Sequence, residues 1–479
     1  MPQDALAQIL DTVGGSRPED DGLSITGADP VLPTDFLLGS AGAAAIAAAG
    51  LAAADLWQER TGRRQQVSVD LRHAAAALRS GTYLRVDGRA PGNPWAPISG
   101  FYRTRDERWI QFHCNYPHHR DGVLKLLECD NDRDAVQAAA ARWDGQALED
   151  ALAEAGMCAG LVRTGVEWDA HLQGQAVAGL PLLEVVKIAD SPPEPLPGGE
   201  RPLSGVRVLD LTRVLAGPTG ARTLAEHGAD VLRITAPHLP AQPDVDIDMG
   251  HGKLAAQLDL RREDGFSRLR ALAKDAEVFL QSYRPGSLAG RGFSPEALAE
   301  LRPGIVYVTL SAYGHEGPWR DRRGFDSLVQ SVSGIVHEHS LQAAGVSLQS
   351  GPPTPRYLPA QAIDYVSGYL LAFGSMVALL RRAREGGSYL VRVSLAQTGH
   401  WIWDLGRVEG GRVGGRPNLP FEDIQDLLIE TESPHGRLVH LAPAVQMSET
   451  PARWGRPSVP LDYHEASWPE RPAGQHRLP

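Results

Sequence analysis

Cysteine is scarce in this chain: Cys114, Cys129 and Cys158 are the only three among 479 residues, and none stands in a CxxC pair. A disulfide framework is excluded, and a reducing compartment, by default the cytoplasm, is the simpler expectation. Positive charge is short as well. Lys and Arg number 47 against 58 Asp and Glu, for a formal charge of −11, whereas phosphate neutralisation on nucleic acid needs a clustered surplus of bases. No nucleic-acid partner is expected, and any anionic ligand has to be met by a local basic pocket. The opening MPQDALAQIL carries an early acid and no basic flank before its apolar residues, so it does not read as an export signal. Long runs of large apolar side chains are also missing. The uncharged stretch Phe36 to Ala54 is mostly Ala and Gly and is followed at once by Asp55, Glu59 and Arg60. It reads as a closely packed buried helix with no membrane span. His113, Cys114, His118 and His119 in FHCNYPHHR lack the spacing of a metal site, so they read as a hairpin end and a polar loop with no metal.

What the chain does have is length, a 42% hydrophobic share and a clear change of periodicity. Domains usually run about 100 to 200 residues, so two or three cores are affordable in this length. From Pro202 onward, short β-rich runs alternate with helical patterns: strands at Val206–Thr212, Asp230–Thr235, Glu277–Tyr283 and Ile305–Leu310, with helices at Pro218–Gly228, Arg262–Ala276 and Pro295–Leu301. The expectation is an α/β fold, a Rossmann-like doubly wound, mainly parallel sheet, with a second, smaller α+β domain. Five parts follow: 1–97, a helix and strand that partly repeat the large domain; 98–186, the small domain, with a hairpin turning at Asp106 and Glu107 and a helix over Asp134–Ala155; 187–203, a Pro- and Gly-rich linker; 204–400, the large domain; and 401–479, a returning segment. The repeat rests on AADLWQERTGRRQQVSVDL and MVALLRRAREGGSYLVRVSL, each an apolar helix, a basic glycine turn and an alternating strand. Aligning Gly62 with Gly386 sets Ser40 opposite Asp364.

Six segments in order carry a resemblance: PLSGVRVLDLTRVLAGP with LAEHGADVLRI, then HGKLAAQLDL, QSYRPGSLAGRGF, LSAYGHEGPW, RGFDSLVQSVSG and IDYVSGYLLAFGSMVALLRRAREGGSYLVRVSL. Together they resemble the class III coenzyme A transferases, the CaiB/BaiF group. The resemblance implies an enzyme moving CoA from an acyl-CoA donor to a carboxylate acceptor, with no permanently bound cofactor, and Asp364 as its nucleophile. A carboxylate can attack a thioester carbonyl to give a mixed anhydride, which splits one difficult exchange into easier covalent steps. By position alone, Asp364 fits equally well as an N-cap of the helix it opens.

CoA brings several phosphate charges. The loop Val214–Pro218, with Ala216, Gly217 and Pro218, offers backbone amides at a helix start; Arg213, Lys253, Arg284 and Arg291 match positions where the family contacts CoA, although each by itself fits a solvated surface charge. Gly314, Gly317 and Pro318 fit a turn near the thioester, and Asp326 fits a cap of its own helix. Related racemases carry a histidine directly before that aspartate. Here Phe325 stands there and cannot exchange a proton, which disfavours two-base racemisation unless His315 or His337 substitutes. The small-domain-like part also precedes the large one, an order that leaves open a homodimer, a lid at Gly410, Gly411, Gly414 and Gly415, and two other functions: an acyl-CoA racemase or isomerase, or a non-catalytic CoA-binding subunit.

Overall fold

The computed structural model describes residues 1–15, 22–284, 286–344, 353–409 and 418–471. Its centre is a seven-stranded sheet. In chain order the strands are β1 (Glu184–Ala189), β2 (Arg207–Leu211), β3 (Asp230–Thr235), β4 (Lys253–Gln257), β5 (Val278–Gln281), β6 (Val306–Ser311) and β7 (Ser388–Ser394). Across the sheet they run β4-β3-β2-β5-β6-β7-β1, all parallel except β1, which lies antiparallel on β7. The inner strands are rich in Val, Leu and Ile and buried on both faces, as a parallel sheet covered by helices requires. The four strands expected from periodicity are present with ends that agree to within two residues.

Two expectations need correction. The linker does not begin at 187, because residues 184–189 form β1, whose backbone groups pair with β7; the irregular stretch starts at 190. The expected helix over 134–155 is two, Arg133–Ala140 and Gly145–Glu154, separated by a turn in which the Trp143 carbonyl accepts from the Arg105 amide. These helices and Pro117–Leu127 pack around a three-stranded sheet, Gly100–Arg103, Trp109–Phe112 and Ala159–Leu161, with an apolar cluster of its own. The glycines at 410–415 lie outside the described residues.

The two segments compared in the sequence have a similar order of elements. Helix α1 (Leu38–Thr61) leads through Gly62 to the strand Val67–Asp70, the helix Leu71–Ala77 and the hairpin at 100–112. Four further helices matter for the site: α2 (Ala216–Glu226), α3 (Asp326–Val332), α4 (Ala362–Glu385) and α5 (Leu395–Asp404). Helix α4 leads through Gly386 to β7, α5 and a second hairpin at 428–441. Both α1 and α4 have 24 residues and are long and apolar enough to cross a membrane, yet 89% of the most apolar window of each is buried inside the protein, where the two pack together. The chain after the second hairpin adds Val445–Met447 to the strand at 67–69. It then crosses the helices beside the large sheet, where the indoles of Trp454 and Trp468 donate to the carbonyls of Arg222 and Leu272.

Glycine sets how α4 meets α2. A Cβ on Gly368 would stand 2.6 Å from the Ala216 carbonyl oxygen and 2.5 Å from the Thr219 Cβ, and one on Gly220 would stand 2.9 Å from the Gly368 carbonyl. Only bare backbone permits this approach, and it brings the start of α4 against the loop that precedes α2. Gly368→Ala is expected to lower stability by about 1–3 kcal/mol through overpacking, read as a fall in Tm. Gly290→Ala, where an added Cβ meets nothing within 4 Å, is the control and leaves Tm in place.

Candidate active site

The strand order reverses between β2 and β5, and the crevice outside the carboxyl ends of such strands is where open parallel sheets place ligands. A cavity of about 380 Å³ occupies that position. Its floor comes from the chain just past β2 (Arg213 to Ala216), past β5 (Ser282 to Arg284) and past β6 (Ser311, Ala312). One wall is the run Arg320–Phe325, another is Tyr116, His118 and His119, and Asp364 stands at the α4 end.

Asp364 is the third residue of α4 and only 7% exposed, yet it lines the cavity. It does not cap its helix. Its backbone amide donates to the Asp326 carboxylate at 3.0 Å, and the Ile363 amide also favours that carboxylate. Asp326, first residue of α3, therefore caps α4 and leaves its own helix without a side-chain cap. Gln330, one turn on, donates its amide to Asp326 and accepts from the Leu358 amide at 2.9 Å, which ties down the approach to α4. The Asp364 carboxyl itself accepts no hydrogen bond among the described residues. Burial, and then the negative Asp326 beside it, hold it well above the usual carboxylate range. Burial pushes Asp326 up to about 6.

Around this acid the walls are basic. Arg213 stacks over Tyr116 at 5.2 Å and donates to the Pro240 carbonyl. Arg284 is exposed, and Arg323 donates to His119 Nε2 at 3.0 Å. None of these three pairs with a carboxylate among the described residues. Arg322 lies over the Trp319 ring at 4.1 Å and donates to the Glu149 carbonyl. His119, pushed down to about 3 by burial and its basic neighbours, is neutral and accepts from Arg323. Val214 takes a positive φ of 69°, a strained state for a β-branched residue, at the point where the β2 strand hands over to α2.

Of the residues singled out in the sequence, Asp364, Arg213, Ala216 and Arg284 meet at this cavity. Gly217 and Pro218 are buried inside the first turn of α2 behind it. Lys253 is neither a surface charge nor a lining residue: its ammonium is buried, 2.9 Å from Asp210 Oδ2 and 3.0 Å from the Pro218 carbonyl. It braces the end of β2 against α2. Arg291 lies outside the lining and donates to the Leu260 carbonyl at 2.9 Å. Gly314, at φ 92°, borders a smaller adjoining cavity of about 190 Å³, as does His315, 3.7 Å from Glu184. Phe325 faces the main cavity and stacks on His113 at 3.8 Å between centroids. The sequence reading missed Arg320, Arg322, Arg323, Tyr116, His118 and His119; the three arginines form a compact basic run ahead of Phe325 that was there to be read.

Two stretches of the chain, 22–193 and 203–406, match the model of CoA-transferase family III. The chain belongs to that family. An acetyl-coenzyme A transferase of Hypoxylon pulicicidum is 29% identical over 71% of this chain and 64% of its own length. A probable fatty acyl-CoA transferase of Mycobacterium tuberculosis is 32% identical over 41% of this chain and half of its own. A succinyl-CoA:glutarate CoA-transferase of Mus musculus is 28% identical over 41% of this chain and 45% of its own. The chain thus spans between 45% and 64% of the length of these relatives. A crystal structure of a hypothetical protein from M. tuberculosis is similar at 31% identity over 44% of this chain and 58% of that one, with a TM-score of 0.37. In this family III chain the two matched stretches meet at the cavity: the first supplies Tyr116, His118 and His119, and the second supplies the rest.

A raised carboxyl pKa is also a statement about stability. Asp364 contributes favourably below its unfolded pKa, 3.8, and that contribution is lost as pH rises through the higher folded value. Asp364→Asn removes the penalty, so its Tm is expected to exceed that of the natural sequence by a margin that widens from pH 5 to pH 8. A margin that stays constant across this range contradicts the shift.

Proposed function

We propose that the chain moves CoA between carboxylic acids through covalent intermediates on Asp364. The observation that carries this reading is a buried carboxyl that accepts no hydrogen bond among the described residues, at the end of a cavity where Arg213, Arg284 and Arg323 have no carboxylate partner among those residues. An Asp364 oxygen attacks the thioester carbonyl carbon, the C–S bond breaks and the electron pair leaves on the CoA sulfur. The thiolate then attacks the Asp364 carbonyl of the mixed anhydride, which releases the donor acid and leaves an aspartyl-CoA thioester. An acceptor carboxylate reverses the two steps. Bonds and charges balance without a net proton, and reactant and product acids differ little in energy. Two relatives, an acetyl-coenzyme A transferase and a succinyl-CoA:glutarate CoA-transferase, support CoA esters and carboxylates as the partners.

Phosphates belong at the amides opening α2 and at Arg213 and Arg284, since helix N-termini and guanidinium groups are the usual receivers. Phe325 supports transfer over racemisation, because it supplies no proton beside Asp326. On this reading the sheet and its helices, 204–400 together with the edge strand β1 at 184–189, form a Rossmann-like large domain and 98–183 a small one, while 1–97 repeats part of the large domain with Ser40 in place of a nucleophile.

The test is transfer among acetyl-CoA, succinyl-CoA, glutarate, succinate and acetate. Asp364→Ala is expected to lose transfer by about 1,000-fold or more, the scale for removing an essential nucleophile, while still binding CoA. Full activity in that variant, or exchange of an α-deuterium with solvent in the absence of an acceptor acid, contradicts the proposal. Arg284→Gln is expected to raise KM for the CoA ester about tenfold, the loss of one charge-assisted hydrogen bond, with kcat little changed; an unmoved KM removes Arg284 from the binding site.

A further inference from the structure

Asp326 and Asp364 stand side by side: Asp326 is 3% exposed, has no ion-pair partner among the described residues, and accepts from the amide of the residue whose side chain faces the cavity. We propose that Asp326 is a positioning residue for transfer: it clamps the first turn of α4 and sets beside Asp364 a negative charge whose repulsion is relieved when Asp364 is acylated. The inference rests on Asp364 being the group that is acylated.

The clamp and the charge can be separated, because the molecule contains the clamp twice. At the start of α1 the carboxylate of Asp29 accepts from the amides of Gly39 and Ser40 at 3.0 and 2.8 Å. Ser40 occupies the place that Asp364 holds in α4, so there the same device fixes a helix end that carries no acid. At α4 the clamping carboxylate sits next to a second carboxyl, where α1 has the Ser40 hydroxyl. Attack on a thioester forms an O–C bond, breaks C–S and sends the negative charge to the CoA sulfur; the Asp364 oxygen loses its charge, and the energy of holding two like charges in a water-poor site is released. The lift in the Asp364 pKa that Asp326 adds to burial is the same repulsion read against a proton. Other charged or titratable groups face the pair across the cavity: Arg213 and Tyr283 from the strand ends, Arg284, then Arg320, Arg322 and Arg323 from one wall and Tyr116, His118 and His119 from the other. None of them is among the causes of the Asp364 shift.

Asp326→Asn keeps an oxygen for the two amides and removes the charge. With succinyl-CoA as donor and glutarate as acceptor, the acidic limb of the kcat/KM profile is expected to move down by about one pH unit, and kcat at pH 8 to fall about tenfold, with KM for succinyl-CoA unchanged. The same shift is expected without substrate, in the pH dependence of the Tm change that Asp364→Asn produces in the Asp326→Asn background. Gln330→Glu adds charge to the cluster and moves the limb upward, which keeps the test available if Asp326→Asn folds poorly. Asp29→Asn, which alters the other clamp, leaves the limb in place. A limb and a Tm profile that do not move in whichever variant folds overturn the proposal and leave transfer through Asp364 standing, whereas full activity in Asp364→Asn overturns both.

Discussion

A helix end tied down from outside is the constraint on which the site depends. Helix α4 begins without a cap of its own, and its first amides are satisfied by Asp326 on α3. Had Asp364 capped the helix itself, as its position allows, its oxygens would be engaged and its pKa low. Outsourcing the cap leaves the Asp364 carboxyl buried and without donors among the described residues, at a cost in stability that the surrounding core offsets. The close α2–α4 crossing at Gly220 and Gly368 places that carboxyl against the strand-to-helix loop, and the buried Lys253–Asp210 pair holds the loop from behind.

The charge plan follows from the same geometry. An acidic protein has to gather cations locally to receive an anionic ligand, and here the gathering is done by loops at strand ends and by one basic run. Arg213, Arg284 and Arg323 are held by a carbonyl, by solvent and by a neutral histidine, so their charge is not spent on carboxylates among the described residues. Strain at Val214 sits in this same loop, which lines the cavity.

Much of the large sheet was legible because its strands are uninterrupted β-branched and leucine runs set between helical periods. β1 was not. Its sequence, EVVKIA, leads straight into proline and charge, and it is an antiparallel edge strand whose half-exposed residues lack the pattern of the inner ones. Asp364 was legible through its motif, but its exemption from capping was not, since that depends on Asp326 arriving from 38 residues away. Lys253 was expected at CoA because the resemblance sets it there, while its actual partner, Asp210, lies 43 residues back and two strands away across the sheet. The wall of Tyr116, His118 and His119 was read as a polar loop because nothing local shows which part of the fold it will face. The repeat was visible from its turn grammar, and the shared clamp by Asp29 and Asp326 appears only in three dimensions.

The central claim is that Asp364 takes the acyl group and then CoA. Intact-mass measurement after mixing the protein with succinyl-CoA and hydroxylamine, followed by peptide mapping, tests it most directly. The account requires a hydroxamate at Asp364, absent when donor is omitted. A protein that turns over succinyl-CoA and glutarate yet carries no modification at Asp364 contradicts it.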